Sequence, residues 1–307
     1  MKYLDDDIVK ELLQDKWGQI IRAIEEAFVD PSSDMVPKTY LQGEGGDFRA
    51  MPAALGKYAA LKWIGVFPNN YQIPMPTTNG SLILSDRETG ASLIGMDCTA
   101  LTAYRTAATS AIVAKYCAPR AKKFAFIGCG LQAKYHMDAY YEVFGDNGNL
   151  DVQIHDKNEK AEREMMRWLG RNFVANSYGR KKSVKRAVAS ADIITTLTPS
   201  TEGYLDILDL KSDCHINAVG ADAEGKRELM TNVIDGSANI ICDDPIQAMH
   251  SGELQYNEWP HLDINSLKYL LKNYETMQLN KGISVFDSTG VAIEDIAIAK
   301  LIHKLSS

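Results

Sequence analysis

Apolar residues recur at intervals of three and four near the start of the chain, at Ile8, Leu12, Leu13, Ile20, Ile21, Ile24 and Phe28. That spacing lines one face of an α-helix, and an interruption near Gly18 makes it one or two amphipathic helices with a core-facing stripe. From Thr39 to Asp97 the pattern breaks into short apolar stretches punctuated by Gly and Pro: TYLQ, FRAMPA, YAALKWIGVF, GSLILS and ASLIGMD. Such runs predict strands, and SDRETG, from Ser85 to Gly90, lies between two of them as a hairpin turn, so the region reads as a mostly antiparallel sheet. A helix is expected from Ala100 to Tyr116, ending before Pro119.

After Lys122 the pattern alternates. Strand-like KFAFIG, LDVQIHD, NFVAN, DIITTLT, CHINAVG, NIICDD and ISVFD are interleaved with helical segments that begin near Leu131 and Glu159 and span about Ser183 to Ala189. Alternation of this kind gives a parallel sheet with helices on both faces. A last helix, Ala292 to Lys304, follows, and its apolar positions Ile293, Ile296, Ile298 and Leu301 require a partner surface.

Composition narrows the function classes. At 307 residues, with 45% hydrophobic and 24% charged residues, the chain is long enough for two domains. A net charge of -7 argues against a nucleic-acid surface, and the longest basic cluster, Arg180 to Arg186, reads as a solvated helix face. Five cysteines without CxxC spacing fit a reducing compartment better than a disulfide framework or a zinc knuckle. The amino terminus is acidic where a signal peptide would be basic, and no apolar run approaches the ~18 residues of a membrane span, so a cytoplasmic protein is expected. His215, within a strand, reads as a satisfied core residue and His136 as a surface residue of a helix; Met165, Met166 and Trp168 read as packing. No His, Cys and carboxylate group has metal-ligand spacing, and no metal is inferred.

The stretch FAFIGCGLQAKYHM (Phe124 to Met137) carries the first candidate chemistry. Gly128 ends a strand and allows a tight turn, Gly130 lets backbone approach a pyrophosphate, and Ala133 permits close packing of the helix that opens at Leu131 and Gln132. The helix amino terminus offers unpaired N–H groups to phosphates. LDVQIHD then ends in Asp156, where a carboxylate would accept from the ribose hydroxyls of NAD and repel the 2'-phosphate of NADP. Lys157 leaves NADP open. A Rossmann domain is therefore expected, with NAD as its cofactor.

KWIGVFP (Lys62 to Pro68), YRTAATSAIVAKY (Tyr104 to Tyr116), GCGLQA, HINAVGAD (His215 to Asp222) and VFDSTGVAIED (Val285 to Asp295) occur in the order found in the ornithine cyclodeaminase and mu-crystallin family, which the whole chain resembles. GADAEGKREL (Gly220 to Leu229) and the Asp-Ser-Thr-Gly run at Asp287 to Gly290 make the resemblance strongest to its archaeal-type L-alanine dehydrogenases. The resemblance implies an α/β protein: a substrate-binding and dimerisation domain over residues 1–117, of α+β type with a mainly antiparallel sheet, joined by the terminal helix at 291–307, and a Rossmann NAD(P)-binding domain over 118–290. It also implies a homodimer.

Carried over residue by residue, the resemblance implies that Lys62 and Arg105 grip the substrate carboxylate, that Lys62 also polarises the reacting centre, and that Asp222 is the acid/base. Arg49 stands two residues before Met51-Pro52, where cyclodeaminases carry a Glu for the distal amine of ornithine. A cation there repels that amine and either adds to the carboxylate grip or pairs with Asp47 on the surface. Thr289 is implied near substrate. Thr77, Arg105, Thr106, Thr196, Thr198, Ala218, Val219, Gly220, Lys226 and Ser288 are implied around the cofactor. Each of Lys62 and Arg105 also has a plain reading as half of a structural ion pair, and Asp222 as a loop cap.

Oxidising a 2-amino acid needs a cationic grip, a base near the amine and a nicotinamide held against the α-carbon. The leading expectation is an NAD(P)-dependent dehydrogenase of a small L-amino acid, alanine first, with amino-acid or 2-oxo-acid partners and no nucleic acid or membrane. The alternatives are an ornithine or lysine cyclodeaminase, a ketimine or opine-type imine reductase, and a catalytically silent mu-crystallin-like binding protein, against which Asp222 argues.

Overall fold

The structure is a computed structural model that describes residues 1–173, 177–256 and 262–306. It divides into two compact units, Met1–Thr109 with Gly290–Ser307, and Ser110–Thr289.

The first unit is built on seven strands: β1 (Lys2–Leu4), β2 (Asp34–Met35), β3 (Thr39–Gly43), β4 (Gly46–Leu55), β5 (Tyr58–Val66), β6 (Thr78–Asp86) and β7 (Ser92–Asp97). They run in the order β1-β7-β6-β5-β4-β2, with β3 also on β4. Every pairing is antiparallel except β1 on β7. Gly90, at a φ of 73°, turns the chain between β6 and β7 within the expected hairpin. Period-two alternation turns Ala60, Lys62 and Ile64 inward and leaves Leu61 and Trp63 exposed. On the next strand Arg49, Met51, Ala53 and Leu55 face the same way.

Two helices lead into this unit, α1 (Asp6–Leu13) and α2 (Trp17–Val29). The break between them lies at Asp15, in the left-handed region at a φ of 58°, rather than near Gly18, which sits inside the first turn of α2. Ile8 leaves the expected core stripe and is exposed, because Val9 and Leu13, four apart, define the buried face of α1. The carboxyl-terminal helix (Ala292–Leu305) packs on α2, β4 and β5. This is the surface its apolar positions demanded, and residues 292–299 are all buried in it.

Among the described residues the second unit holds eight parallel strands: β8 (Lys123–Ile127), β9 (Asp151–His155), β10 (Ser177–Arg180), β11 (Ile193–Thr196), β12 (His215–Ala218), β13 (Asn239–Cys242), β14 (Ile264–Ser266) and β15 (Ser284–Asp287), in the order β10-β9-β8-β11-β12-β15-β13-β14. The order reverses between β8 and β11, the switch point at which doubly wound sheets take ligands. Of the expected strand over NFVAN, Asn172 closes a helix and Phe173 caps it, residues 174–176 lie outside the described residues, and the next described strand is Ser177–Arg180, held in register with Asp151–Ile154. The basic cluster from Arg180 is correspondingly not a helix face, since Arg180 ends β10 and only Val184–Val188 is helical.

The helix that opens the Rossmann half, α4 (Leu131–Phe144), follows α3 (Thr99–Cys117). His136 is fully buried rather than on the surface of α4, its Nδ1 donating to the Gln132 carbonyl at 2.8 Å and its Nε2 accepting from Ser110 Oγ at 3.0 Å. His215 is a core residue bonded to Ser284 and Asn217. Burial pushes both imidazoles down to about 4, so each stays neutral. Met165 is buried and Trp168 stacks edge-on against Phe173, as packing residues should.

Candidate active site

The inward parity of β5 puts a lysine where an apolar side chain is expected. Lys62 is 1% exposed, and its Nζ donates to Asp295 Oδ1 on the carboxyl-terminal helix at 2.7 Å. Burial pushes its pKa down from the ordinary lysine value, while Asp295 opposes that shift. Arg105, on α3, brings Nε to 3.2 Å from the same Asp295 oxygen and donates from Nη1 to Glu294 Oε2 at 2.6 Å. Gly290 makes room for it: at a φ of 76°, a Cβ there would stand 2.5 Å from Arg105 Nη1. Both cations therefore have the structural ion pairs that the plain reading anticipated, and the first unit joins them through one carboxylate. Met51 is opposite Lys62 in the β4–β5 register, so Arg49 lies two residues along the same face. Arg49 does pair with Asp47, at 2.6 Å, though not on the surface, since it is only 4% exposed.

In the second unit the registers Ile127↔His155, Ile127↔Thr196, Thr196↔Ala218 and Ala218↔Asp287 align five strand ends, so the residues that follow share one carboxyl edge. Gly128, at a φ of 102°, passes so close to β11 that a Cβ would meet the Leu197 carbonyl at 2.8 Å. Gly130 caps α4 without a side-chain bond and faces open space, and Leu131 is exposed beside it. Asp156 accepts from the Cys129 amide at 2.7 Å and from the Asn158 amide at 2.7 Å, which fixes its carboxylate against the glycine turn. Lys157 is exposed.

Glu228 ties this edge together. Its two oxygens accept from the Thr196 and Thr198 hydroxyls, the Thr198 and Gly220 amides and the Tyr204 hydroxyl at 2.6 to 2.8 Å. Glu253 accepts from the Glu228 and Leu229 amides, and Asp287 in turn from the Glu253 and Leu254 amides. Burial raises the pKa of Glu228, but obligate N–H donors on both of its oxygens favour the ionised form. Val219 and Ser288 follow β12 and β15, their amides donating to Thr196 and Ala218 carbonyls. Two residues beyond Gly220, Asp222 is bridged to Lys226 at 2.5 Å. Thr289 Oγ1 donates to Asp243 and accepts from Gln247.

Some expected residues are not gathered in this way. Thr77 is exposed, its carbonyl accepting from the Phe67 amide, and the Thr106 hydroxyl donates to Thr102 in its own helix. Sequence reasoning passed over Glu228, Glu294 and Asp295 as individual residues. An acidic pair inside the otherwise apolar VAIEDIAIA was the available signal for the last two.

A dinucleotide suits the second unit on three observations. The turn at Gly128 tolerates no side chain, the amino terminus of α4 lacks a side-chain cap, and among the described residues Gln132 Oε1 and Ser288 Oγ are buried without a hydrogen-bond partner. Buried polar atoms of that kind are costly unless a ligand or water completes them. No group of three or more potential metal ligands occurs among the described residues, and none of the described helices is long and apolar enough to cross a membrane.

The model of the Ornithine cyclodeaminase/mu-crystallin family matches residues 4–306. Alanine dehydrogenase of Archaeoglobus fulgidus is 36% identical over 298 residues, covering 93% of this chain and 89% of its own. Ornithine cyclodeaminase of Agrobacterium tumefaciens is 32% identical over 278 residues, covering 89% and 76%. The solved structure of an archaeal alanine dehydrogenase dimer with bound NAD superposes with a TM-score of 0.91 at 33% identity, over 100% of this chain and 96% of that one.

Proposed function

The chain belongs to the ornithine cyclodeaminase/mu-crystallin family, and from that premise we propose that it is an NAD-dependent dehydrogenase that deaminates a small L-amino acid, L-alanine first, through an imine. One observation carries the choice of substrate. Arg49 is a buried cation on the sheet face that carries Lys62, at the position where an ornithine side chain would need an anion. A distal ammonium is repelled there, and a methyl group is not.

In this reading Lys62 and Arg105 hold the substrate carboxylate, Arg105 with its planar fork and Lys62 as a point charge. Gly128, Gly130 and the amino terminus of α4, with Leu131 and Gln132, receive the pyrophosphate, and Asp156 accepts from the ribose hydroxyls. A nicotinamide held there would supply the acceptor for the hydride of the α-carbon. Asp222 accepts a proton from the substrate ammonium so that the amine lone pair can form the imine, releases that proton to solvent, and, ionised again, draws a proton from the water that attacks the imine and returns it to the departing amine. With one water consumed, the products balance as 2-oxo acid, ammonium, reduced cofactor and one proton. Lys226 holds the Asp222 carboxylate, and Thr196, Thr198, Ala218, Val219, Gly220 and Ser288 line the cofactor edge. The test is the fate of deuterium at C2 of L-alanine. Transfer to the cofactor supports a dehydrogenase; failure of that transfer, with deuterium at C2 of L-ornithine instead returning to carbon in a cyclic, deaminated product, supports a cyclodeaminase and overturns this reading.

Asp156 sets an expectation for cofactor choice. NAD should bind more tightly than NADP, and Asp156→Ser should narrow the preference by ~10-fold, the effect of losing a charged hydrogen bond and a like-charge repulsion. Calorimetry that finds wild-type protein favouring NADP contradicts the assignment of Asp156 to the ribose.

A homodimer is the proposed assembly, with the exposed Leu61, Trp63 and Ile83 on the outer face of the first sheet as its apolar contact. Light scattering should give twice the chain mass at micromolar concentration; a monomer contradicts it.

A further inference from the structure

We propose that Asp295 is a positioning residue that locks the Lys62 ammonium and the Arg105 guanidinium into one substrate grip, an inference that rests on the proposed function for what those cations hold. Three elements far apart in sequence, β5, α3 and the carboxyl-terminal helix, meet at a single carboxylate oxygen. Asp295 Oδ1 is 2.7 Å from Lys62 Nζ and 3.2 Å from Arg105 Nε. A lysine side chain is a flexible stem with a point charge, and a buried ammonium keeps neither its place nor its charge without an anion beside it. Arg105 is less dependent on Asp295, because Glu294 holds its Nη1 at 2.6 Å. The two carboxylates therefore have different tasks: Glu294 anchors the guanidinium, and Asp295 couples the lysine to it.

A purely structural role accounts poorly for Asp295. Its second oxygen, Oδ2, is buried with no hydrogen-bond partner, a cost to the fold that an apolar pair at positions 62 and 295 would avoid. The charged and titratable groups around Lys62 are Asp295, Arg105 and Cys98, with Glu294 reached through Arg105. Burial pushes the Cys98 thiol up to about 12, so it stays neutral while Lys62 titrates from a lowered pKa. Asp295 is thus the anion in direct contact with the ammonium, and its loss moves the Lys62 titration to lower pH.

The experiment is Asp295→Asn, of equal size, in the full chain. The alkaline limb of kcat/KM is expected to fall by ~1 pH unit or more, KM for the amino acid to rise ~10-fold, more than kcat falls, and the NAD dissociation constant to stay within about twofold. An unshifted limb with wild-type KM overturns the proposal and leaves Asp295 as a helix-packing residue. If the Asn protein does not fold, Asp295→Glu keeps the charge but displaces it: KM should rise with the limb unmoved, and an unchanged KM overturns the proposal. A readout independent of turnover separates this inference from the function it rests on. The Lys62 Nζ resonance, assigned with Lys62→Gln in ¹⁵N-lysine-labelled protein, should titrate at lower pH in the Asn variant even if wild-type protein oxidises no amino acid. Coincident titrations overturn the proposal.

Discussion

Asp222→Asn is expected to bind NAD with nearly unchanged affinity while turnover falls by ~10²-fold or more, the range typical of a lost general acid/base. The substitution keeps the size of the side chain and removes its charge, and with it its ability to take a proton. The fold is expected to tolerate it: Asp222 is part-exposed in a loop, its ion pair to Lys226 spans a single turn, and exposed pairs of that kind contribute about 0–1 kcal/mol. The loss should therefore appear in kcat, not in the melting temperature. Near wild-type turnover across pH would return Asp222 to the role of loop cap and pass the proton to Lys62 or to a bound water.

Arg105→Ala should affect both stability and binding. Glu294 is completely buried, and stripping its guanidinium partner leaves an uncompensated carboxylate, for which ~3–5 kcal/mol of stability is the usual loss. Removing a charge-assisted contact to the substrate should weaken its binding by a further ~1.5–3 kcal/mol, visible as a KM raised roughly 10- to 150-fold. Denaturant unfolding and steady-state kinetics read the two separately, because the NAD affinity of the second unit should change little. A lower melting temperature with wild-type KM would leave Arg105 as a structural ion pair only.

Most of the parallel sheet was legible because its strands lie between turn or helix signals, and the apolar runs at Phe124 to Ile127, Ile193 to Ile194 and Val285 to Phe286 permit few other states; the three-residue edge strand β14 was not read from the sequence. Of NFVAN, the described Asn172 and Phe173 belong to the end of the preceding helix, and the described strand that pairs with β9 is the more polar Ser177–Arg180. β1 carried no periodic signal, since three residues are too few and its partner β7 is some ninety residues away. In the first sheet the apolar stretches were visible but the parity of their side chains was not. Hydrophobicity would turn Leu61 and Trp63 inward and Lys62 outward; the structure does the reverse. What makes the buried lysine tolerable is Asp295, 233 residues later, a contact that no local window contains. His136 escaped for the same reason, because its partner Ser110 belongs to an earlier helix. The glycine turn and Asp156 were readable from strand, turn and helix order alone. The clamp made by Glu228 was not, because its acceptors and donors come together only when β11 and β12 lie side by side.

Purified protein incubated with NAD and a panel of L-amino acids, with reduced cofactor and ammonia measured separately, tests oxidative deamination most directly. NADH and ammonia should appear in a one-to-one ratio, fastest with L-alanine and slowly if at all with L-ornithine; ammonia released from ornithine without accumulation of NADH would contradict it.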